Sequence, residues 1–182
     1  MAAQSTAAAP GQERRPWFGL RHTPGRLALT VFRMPLFLYR HGWGRLLGRT
    51  FLLLVHVGRK TGQPHEMVAM VLGDDRHTGE VVICSGWGPD AAWLRNLHAQ
   101  PAKLICIGSE RFNPEHRFLS EDEAVQVIAG FRARHPRRVR LITAILGWGD
   151  LRDDDDLRWF VATHPFVAFR PLRSSEETED RR

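Results

Sequence analysis

The sequence predicts an α+β domain in which six short antiparallel strands close into a small barrel with helices around its edge. Three observations carry that expectation. Apolar runs of strand length are joined mostly by links of hairpin length. Helical periodicity is confined to separate segments at the front, middle and back of the chain. Finally, 182 residues with 43% hydrophobic content make one domain with enough apolar mass for a core.

In chain order, residues 1–23 are rich in Ala, Gln, Ser and Gly, lack periodicity and are expected to form a disordered leader. The domain is expected over residues 24–171, followed by a polar tail at 172–182. Residues 24–47 turn helical, with Leu27, Val31 and Phe32 on one side and Pro35 dividing the run. Arg26, Arg33 and Arg40 recur every seven residues, which puts them on one helix face and makes the segment basic and amphipathic. Such a helix either packs on the domain with its Arg residues in water or rests on an anionic membrane surface.

Strands are expected at 51–57, 65–72 and 80–85, with a loop at 73–79 between the last two. Residues 89–99 read as a helix with Pro89 in its first turn and Trp93 and Leu97 on one face. A hairpin about Gly108 and Ser109 joins strands at 102–107 and 111–118. Ser120 to Glu123 matches a capping box and opens a helix that turns Ala124, Val127, Ile128 and Phe131 inward. Further helices are expected at 137–146 and from the acidic run 153–156, whose carboxylates suit a positive helix end, before a last strand at 166–169.

Charge is unevenly placed. Residues 1–60 hold ten Arg or Lys against one acid, Glu13, a net of +9, while the whole chain stands at +6. A basic front third suits a partner bearing phosphate, carboxylate or anionic lipid, or is simply a solvated surface. Cys84 and Cys106 lie in apolar runs without C-x-x-C spacing, which points to buried thiols in a reducing compartment and hence to the cytoplasm. The longest apolar stretches fall far short of the roughly 20 residues of a spanning helix. No secretory signal is read at the front of the chain.

The candidate chemistry begins at Gly58 to Gly62, G-R-K-T-G, where an apolar strand runs into a tight basic turn. Two glycines, a guanidinium, an ammonium and a hydroxyl within five residues can surround phosphate oxygens, although a solvated hairpin turn has the same composition. Lys60-Thr61-Gly62 lacks the S-x-x-K that serine penicillin-binding enzymes need. Gly86, Gly88 and Ala91 spell G-x-G-x-x-A, with Glu110 near where a ribose acid would stand, but a hairpin follows instead of a second parallel unit. His65-Glu66 begins H-E-x-x-H, yet Ala69 takes the second His position, so no metal site is expected. Trp87 between two glycines can lie flat against another ring or fold onto the core.

Taken together, G-R-K-T-G-Q-P-H at Gly58 to His65, S-G-W-G at Ser85 to Gly88, A-W-L-R-N-L at Ala92 to Leu97, and Pro101 resemble the deazaflavin-dependent nitroreductase family of oxidoreductases. The likeness runs from about Thr50 to Pro171. It implies a six-stranded antiparallel split β-barrel, akin to FMN-binding split barrels, and reduced coenzyme F420, a deazaflavin with a phosphodiester and polyglutamate tail, as hydride donor. It also implies that Arg59, Lys60 and Thr61 hold the phosphate and tail. By the same carry-over, His65, Glu66, Met67, Val68, Ala69 and Met70, with Ser85, Gly86, Trp87 and Gly88, flank the deazaflavin ring, and Trp93 and Asn96 complete the pocket. His65 replaces an Arg of other members, and S-G-W-G replaces S-K-x-G.

A carrier that already holds its hydride asks the protein mainly for positioning and a dry pocket, so the lack of an acid, base or nucleophile cluster is expected. The expected acceptor is an electron-poor small molecule such as a quinone or nitroaromatic. The tyrosine linked with nitro reduction lies late in the family's chains, whereas the single Tyr here, Tyr39, is in the front helix. Other readings are a non-catalytic coenzyme or lipid carrier or sensor, and a peripheral membrane module at the inner face of the plasma membrane. Nothing resembles an aromatic-basic RNA signature, so no nucleic-acid partner is expected.

Overall fold

A computed structural model describes residues 35–146, 151 and 153–172. The expected leader, the first part of the front helix and most of the polar tail lie outside the described residues. Two four-stranded antiparallel sheets replace the expected six-stranded barrel, in the orders β2-β1-β5-β6 and β3-β4-β8-β7. Their strands are β1 Phe51–Val57, β2 Pro64–Met70, β3 Gly73–Asp75, β4 Glu80–Cys84, β5 Leu104–Ile107, β6 Glu110–Phe112, β7 Pro114–Phe118 and β8 Phe166–Pro171. Residues 35–40 are helical (α1) and precede a 3-10 turn at Trp43–Leu47. The other helices are α2 Ala92–Ala99, α3 Glu121–Arg134, α4 Pro136–Leu146 and α5 Asp154–Thr163.

The corrected strand count has two local causes. The stretch expected as a loop at 73–79 begins with β3, whose Gly73, Asp74 and Asp75 pair with Val82, Val81 and Glu80 of β4. Any Cβ at Gly73 would approach Val82 to 3.1 Å, so glycine lets this edge lie close. The stretch expected as a single strand at 111–118 divides at Asn113: β6 stays on β5, while β7 pairs with β8. Pro114 has no N–H for a ladder, which suits the first residue of an edge strand. The break carries the chain from the first sheet to the second, as the link between β2 and β3 does earlier.

The cores follow from alternation. Leu52 and Leu54 of β1, Ile105 and Ile107 of β5, Val81 and Ile83 of β4, and Val167 and Phe169 of β8 form one buried cluster with Trp93, Leu94 and Leu97 of α2. The opposite faces of β4 and β8, with Val82, Phe166 and Ala168, form a second cluster with Ala124, Ile128 and Phe131 of α3 and Leu157, Phe160 and Val161 of α5. Strands β4 and β8 are therefore covered on both faces, which explains their unbroken apolar runs V-V-I and F-V-A-F.

The helix starts are set by their caps. Ser120 Oγ accepts from Glu123 N while the Glu123 carboxylate accepts from Ser120 N at 2.9 Å, the reciprocal pair expected from the sequence. Asp153 caps α5 by accepting from Asp155 N at 2.8 Å, and Arg132 of α3 reaches Asp154 at 2.9 Å. α2 starts later than expected, at Ala92, without a side-chain cap. α1 is pinned by the Tyr39 hydroxyl, which donates to the Phe51 carbonyl at 2.7 Å, and by an exposed Arg40–Glu66 pair at 2.8 Å.

Phe169→Ala, which empties a fully buried position shared with both sheets, should cost about 3–5 kcal/mol in a urea titration. Arg40→Ala, which severs only the exposed pair, should cost at most about 1 kcal/mol in the same assay.

Candidate functional site

The basic turn between β1 and β2 is a closed backbone loop. Gly58 N donates to the Gln63 carbonyl at 2.8 Å, and Gly62 N and Thr61 N donate to the Gly58 carbonyl at 2.7 and 3.2 Å. Gly62 sits at φ 67°, a left-handed conformation that glycine adopts without strain. A Cβ on Gly58 would lie 2.7 Å from both His65 Nε2 and Thr61 Oγ1. Glycine there is what lets the imidazole and the hydroxyl close against the turn. Arg59, Lys60, Thr61 and Gly62 are all exposed, and Lys60 has no ion-pair partner among the described residues.

A buried side chain ties this turn to α2. Asn96 Oδ1 accepts from the Arg59 backbone N–H at 3.1 Å and from Arg59 Nη1 at 3.3 Å. Its amide nitrogen lies 3.0 Å from Nδ1 of His56, and both residues are nearly sealed from solvent, at 5% and 6% exposure. Both Arg59 groups can only donate, so the atom facing them is the Asn96 oxygen and the amide nitrogen must donate to His56. Nδ1 of His56 is therefore an acceptor and the ring is neutral, with its proton on Nε2. Burial, and then the charge of His65, push the His56 pKa below its ordinary value. The two imidazoles stack with centroids 5.6 Å apart.

Alternation along β2 sorts the sequence-predicted residues. His65, Met67 and Ala69 pair with His56, Leu54 and Leu52, so they share the inner face; Met67 and Ala69 pack against the cluster that holds Trp93. Glu66 and Val68 pair with Val55 and Leu53 on the other face, where Glu66 meets Arg40, and Met70 packs at the strand end on the second cluster. β2 is the edge of its sheet. Of these six consecutive residues, the alternation turns the side chains of His65, Met67 and Ala69 to the face that carries His56.

The S-G-W-G segment leaves β4 as a tight loop. Ser85 Oγ donates to the Gly88 carbonyl at 2.6 Å, Gly88 N returns a bond to the Ser85 carbonyl at 3.1 Å, and Ser85 N donates to the Pro165 carbonyl at 2.9 Å. Gly88 stands at φ 78°, and Trp87 remains 52% exposed instead of folding onto the core. Four residues after Gly88 α2 begins, so the loop leads straight into the helix that anchors the basic turn, and Trp93 and Asn96 of that helix are buried. The Rossmann alternative fails because every strand pair among the described residues is antiparallel. Glu110, its supposed ribose acid, instead meets Arg49 at 2.7 Å.

Sequence reasoning passed over His56. Its signal was present: a His in register with Leu52 and Leu54 on a buried strand face must find a polar partner. A cavity of about 270 Å³ opens elsewhere, at the start of β1, between Arg49, Asp74, Phe131, Arg134, His135 and Arg138.

Residues 33–141 match the protein family described as F420H(2)-dependent quinone reductase. The chain belongs to that family. It is accordingly an oxidoreductase whose hydride donor is reduced coenzyme F420, in agreement with the resemblance read from the motifs. No match is found among curated proteins. Solved structures similar in shape include the F420-H2 dependent reductase FDR-A, at 16% identity and TM-score 0.46, covering 68% of this chain and 96% of that one. The heme storage protein HutZ from Vibrio cholerae aligns at 16% identity and TM-score 0.44, over 75% and 92% of the two chains. A pyridoxamine 5'-phosphate oxidase-related FMN-binding protein from Nostoc punctiforme aligns at 17% identity and TM-score 0.43, over 85% and 83%.

For this F420-dependent reductase, Asn96→Ala strands the His56 acceptor and the Arg59 N–H. It should lower stability by about 2–6 kcal/mol in chemical denaturation, at about 1–3 kcal/mol for each of the two unsatisfied groups. The pH dependence has a definite sign. The folded-state pKa of His56 lies below the ordinary 6.5, so the unfolded chain takes up the proton first. The stabilising contribution is complete above about pH 6.5 and is lost as the pH falls from there toward the folded value. Imidazole nitrogen NMR should show His56 neutral, protonated at Nε2, at a pH where exposed His residues are half charged.

Proposed function

We propose that the chain transfers a hydride from reduced coenzyme F420 to a quinone, and that the Gly58 to Gly62 turn grips the coenzyme's phosphodiester and glutamate tail. The observation that carries this reading is the turn itself: Arg59 and Lys60 stand exposed, side by side, on a backbone locked to α2 through Asn96. A preset backbone with two cations and the Thr61 hydroxyl suits a polyanion, since little ordering remains to be done on binding. One nitrogen of the Arg59 guanidinium is spent on Asn96, and its remaining donors are left for the ligand.

The bound coenzyme supplies the two electrons of the reaction as a hydride. The protein's part is placement. His65, Met67 and Ala69 on the inner face of β2, with the S-G-W-G loop opposite α2, would border the ring, and the buried Trp93 would form an apolar floor that keeps water out. The Tyr39 hydroxyl is committed to the Phe51 carbonyl, and burial raises its pKa to about 12, so it offers the site no ready proton. A quinone takes the hydride together with one proton from solvent, and the family description favours it over a nitro compound.

A lipid-borne quinone also fits the front of the molecule. Phe37, Trp43 and Leu46 are exposed large apolar side chains, interspersed with Arg40 and Arg45. Apolar anchors among cations are what an anionic membrane face attracts, which supports a seat for the enzyme at such a face. Arg26 and Arg33, the other members of the Arg repeat, lie outside the described residues.

Mixing the protein with reduced F420 and menadione should restore the absorbance of the oxidised coenzyme well above the protein-free rate. A quinone and nitroaromatic panel that gives no turnover, with tight coenzyme binding, would leave a carrier instead. Arg59→Ala with Lys60→Ala should weaken coenzyme binding by about 2–4 kcal/mol with an unchanged circular dichroism spectrum. Trp43→Ala with Leu46→Ala should reduce sedimentation with anionic vesicles and leave menadione turnover intact.

A further inference from the structure

The cleft at the start of β1 combines a neutral floor with a cationic rim. On the floor, Arg49 donates through Nε and Nη2 to both oxygens of Asp74 at 2.8 Å, and its Nη1 lies 2.7 Å from Glu110. Arg76 stands 3.6 Å from the same two carboxylates, so two guanidiniums balance two acids. No such balance exists on the rim. Arg134 at the end of α3 and Arg138 in the first turns of α4 are exposed, and neither pairs with a carboxylate among the described residues. Arg134 Nε instead donates to the Gly130 carbonyl at 3.1 Å. Between them His135 is half-buried against the Phe131 ring, with centroids 5.2 Å apart.

We infer that this cleft is a second anion site, which seats the phosphate of a phosphomonoester between Arg134, His135 and Arg138 while Phe131 and Leu72 contact its organic part. Two guanidiniums and an imidazole offer enough donors for three terminal phosphate oxygens, whereas a monocarboxylate presents two oxygens and one charge. The cavity of about 270 Å³ exceeds a bare phosphate, given about 30 Å³ for each water of liquid volume. Thr50, on its wall, and Gly58, at the coenzyme turn, stand at opposite ends of β1. At roughly 3.3 Å per residue the two sites are on the order of 25 Å apart, so this one is independent of the coenzyme grip.

His135 adds a signature of its own. Burial and then the charges of Arg138 and Arg134 hold its pKa below the ordinary value. Arg49 and Asp74 face it from the opposite wall and neutralise each other. A phosphate dianion supplies the missing countercharge and so draws a proton onto the ring, an uptake read above about pH 6, the ester's own second pKa, where the ligand is already a dianion.

Calorimetry on the full chain with inorganic phosphate, pyrophosphate and phenyl phosphate, at ionic strength held constant with sodium chloride, tests the site. Saturable binding is expected, with proton uptake seen as a dependence of the measured heat on buffer ionisation. Arg134→Ala with Arg138→Ala should weaken it about 100-fold and leave the coenzyme titration unchanged, while His135→Asn should remove the proton uptake. Vesicles containing phosphatidic acid, set against phosphatidylcholine alone, distinguish a lipid headgroup from a soluble ester; binding of either kind lost in the double variant upholds the site. Absence of saturable binding to every probe, or equal binding by the double variant, overturns it.

Discussion

The hydrogen bonds of Asn96 are the constraint on which the candidate site depends. One carboxamide, on the buried face of α2, receives the Arg59 backbone and guanidinium on one side and gives its own N–H to His56 on the other. It thereby fixes the height of the basic turn above the helix, the tautomer of a buried imidazole and, through the stack of His56 on His65, the edge strand β2. A cationic loop alone in water would be a mobile patch of charge. Anchored at its first cation, it becomes a preset cationic surface.

The rest of the fold makes that anchor rigid. α2 lies against the inner faces of both sheets through Trp93, Leu94 and Leu97, so it cannot shift without opening the main core. The second sheet is held from behind by α3 and α5, which leaves β4 and β8 without a solvent face. β2, by contrast, is an edge with exposed or half-buried residues throughout. A packed interior with one open strand beside a clamped turn suits an enzyme whose reactive chemistry arrives with its coenzyme, because the protein need only hold, orient and shield.

Much of this was legible in the sequence, where signals are local. The capping box at Ser120, the acidic start of α5 and the glycine-framed cations at 58–62 were each read from a few adjacent residues. The strand count was missed for reasons equally local in hindsight: Asn113-Pro114 is a turn dipeptide within an otherwise strand-like run, and Gly73 masked a short edge strand as loop. Period-two alternation alone separates Glu66 and Val68 from His65, Met67 and Ala69 once the strand is accepted. What no reading of neighbours could supply is the pairing of His56 with Asn96, forty positions apart. The rim of the second cleft was hidden in the same way, since Asp74 and Arg134 meet only in the folded chain.

The most direct test of the central claim compares two ligands on two proteins: the complete coenzyme, and its deazaflavin chromophore stripped of phosphodiester and glutamates, each titrated against the parent chain and against Arg59→Ala with Lys60→Ala. If the turn grips the tail, the parent chain prefers the complete coenzyme, the variant loses most of that preference, and both bind the stripped chromophore equally. A variant that still discriminates between the two ligands as strongly as the parent would place the tail elsewhere and contradict the account.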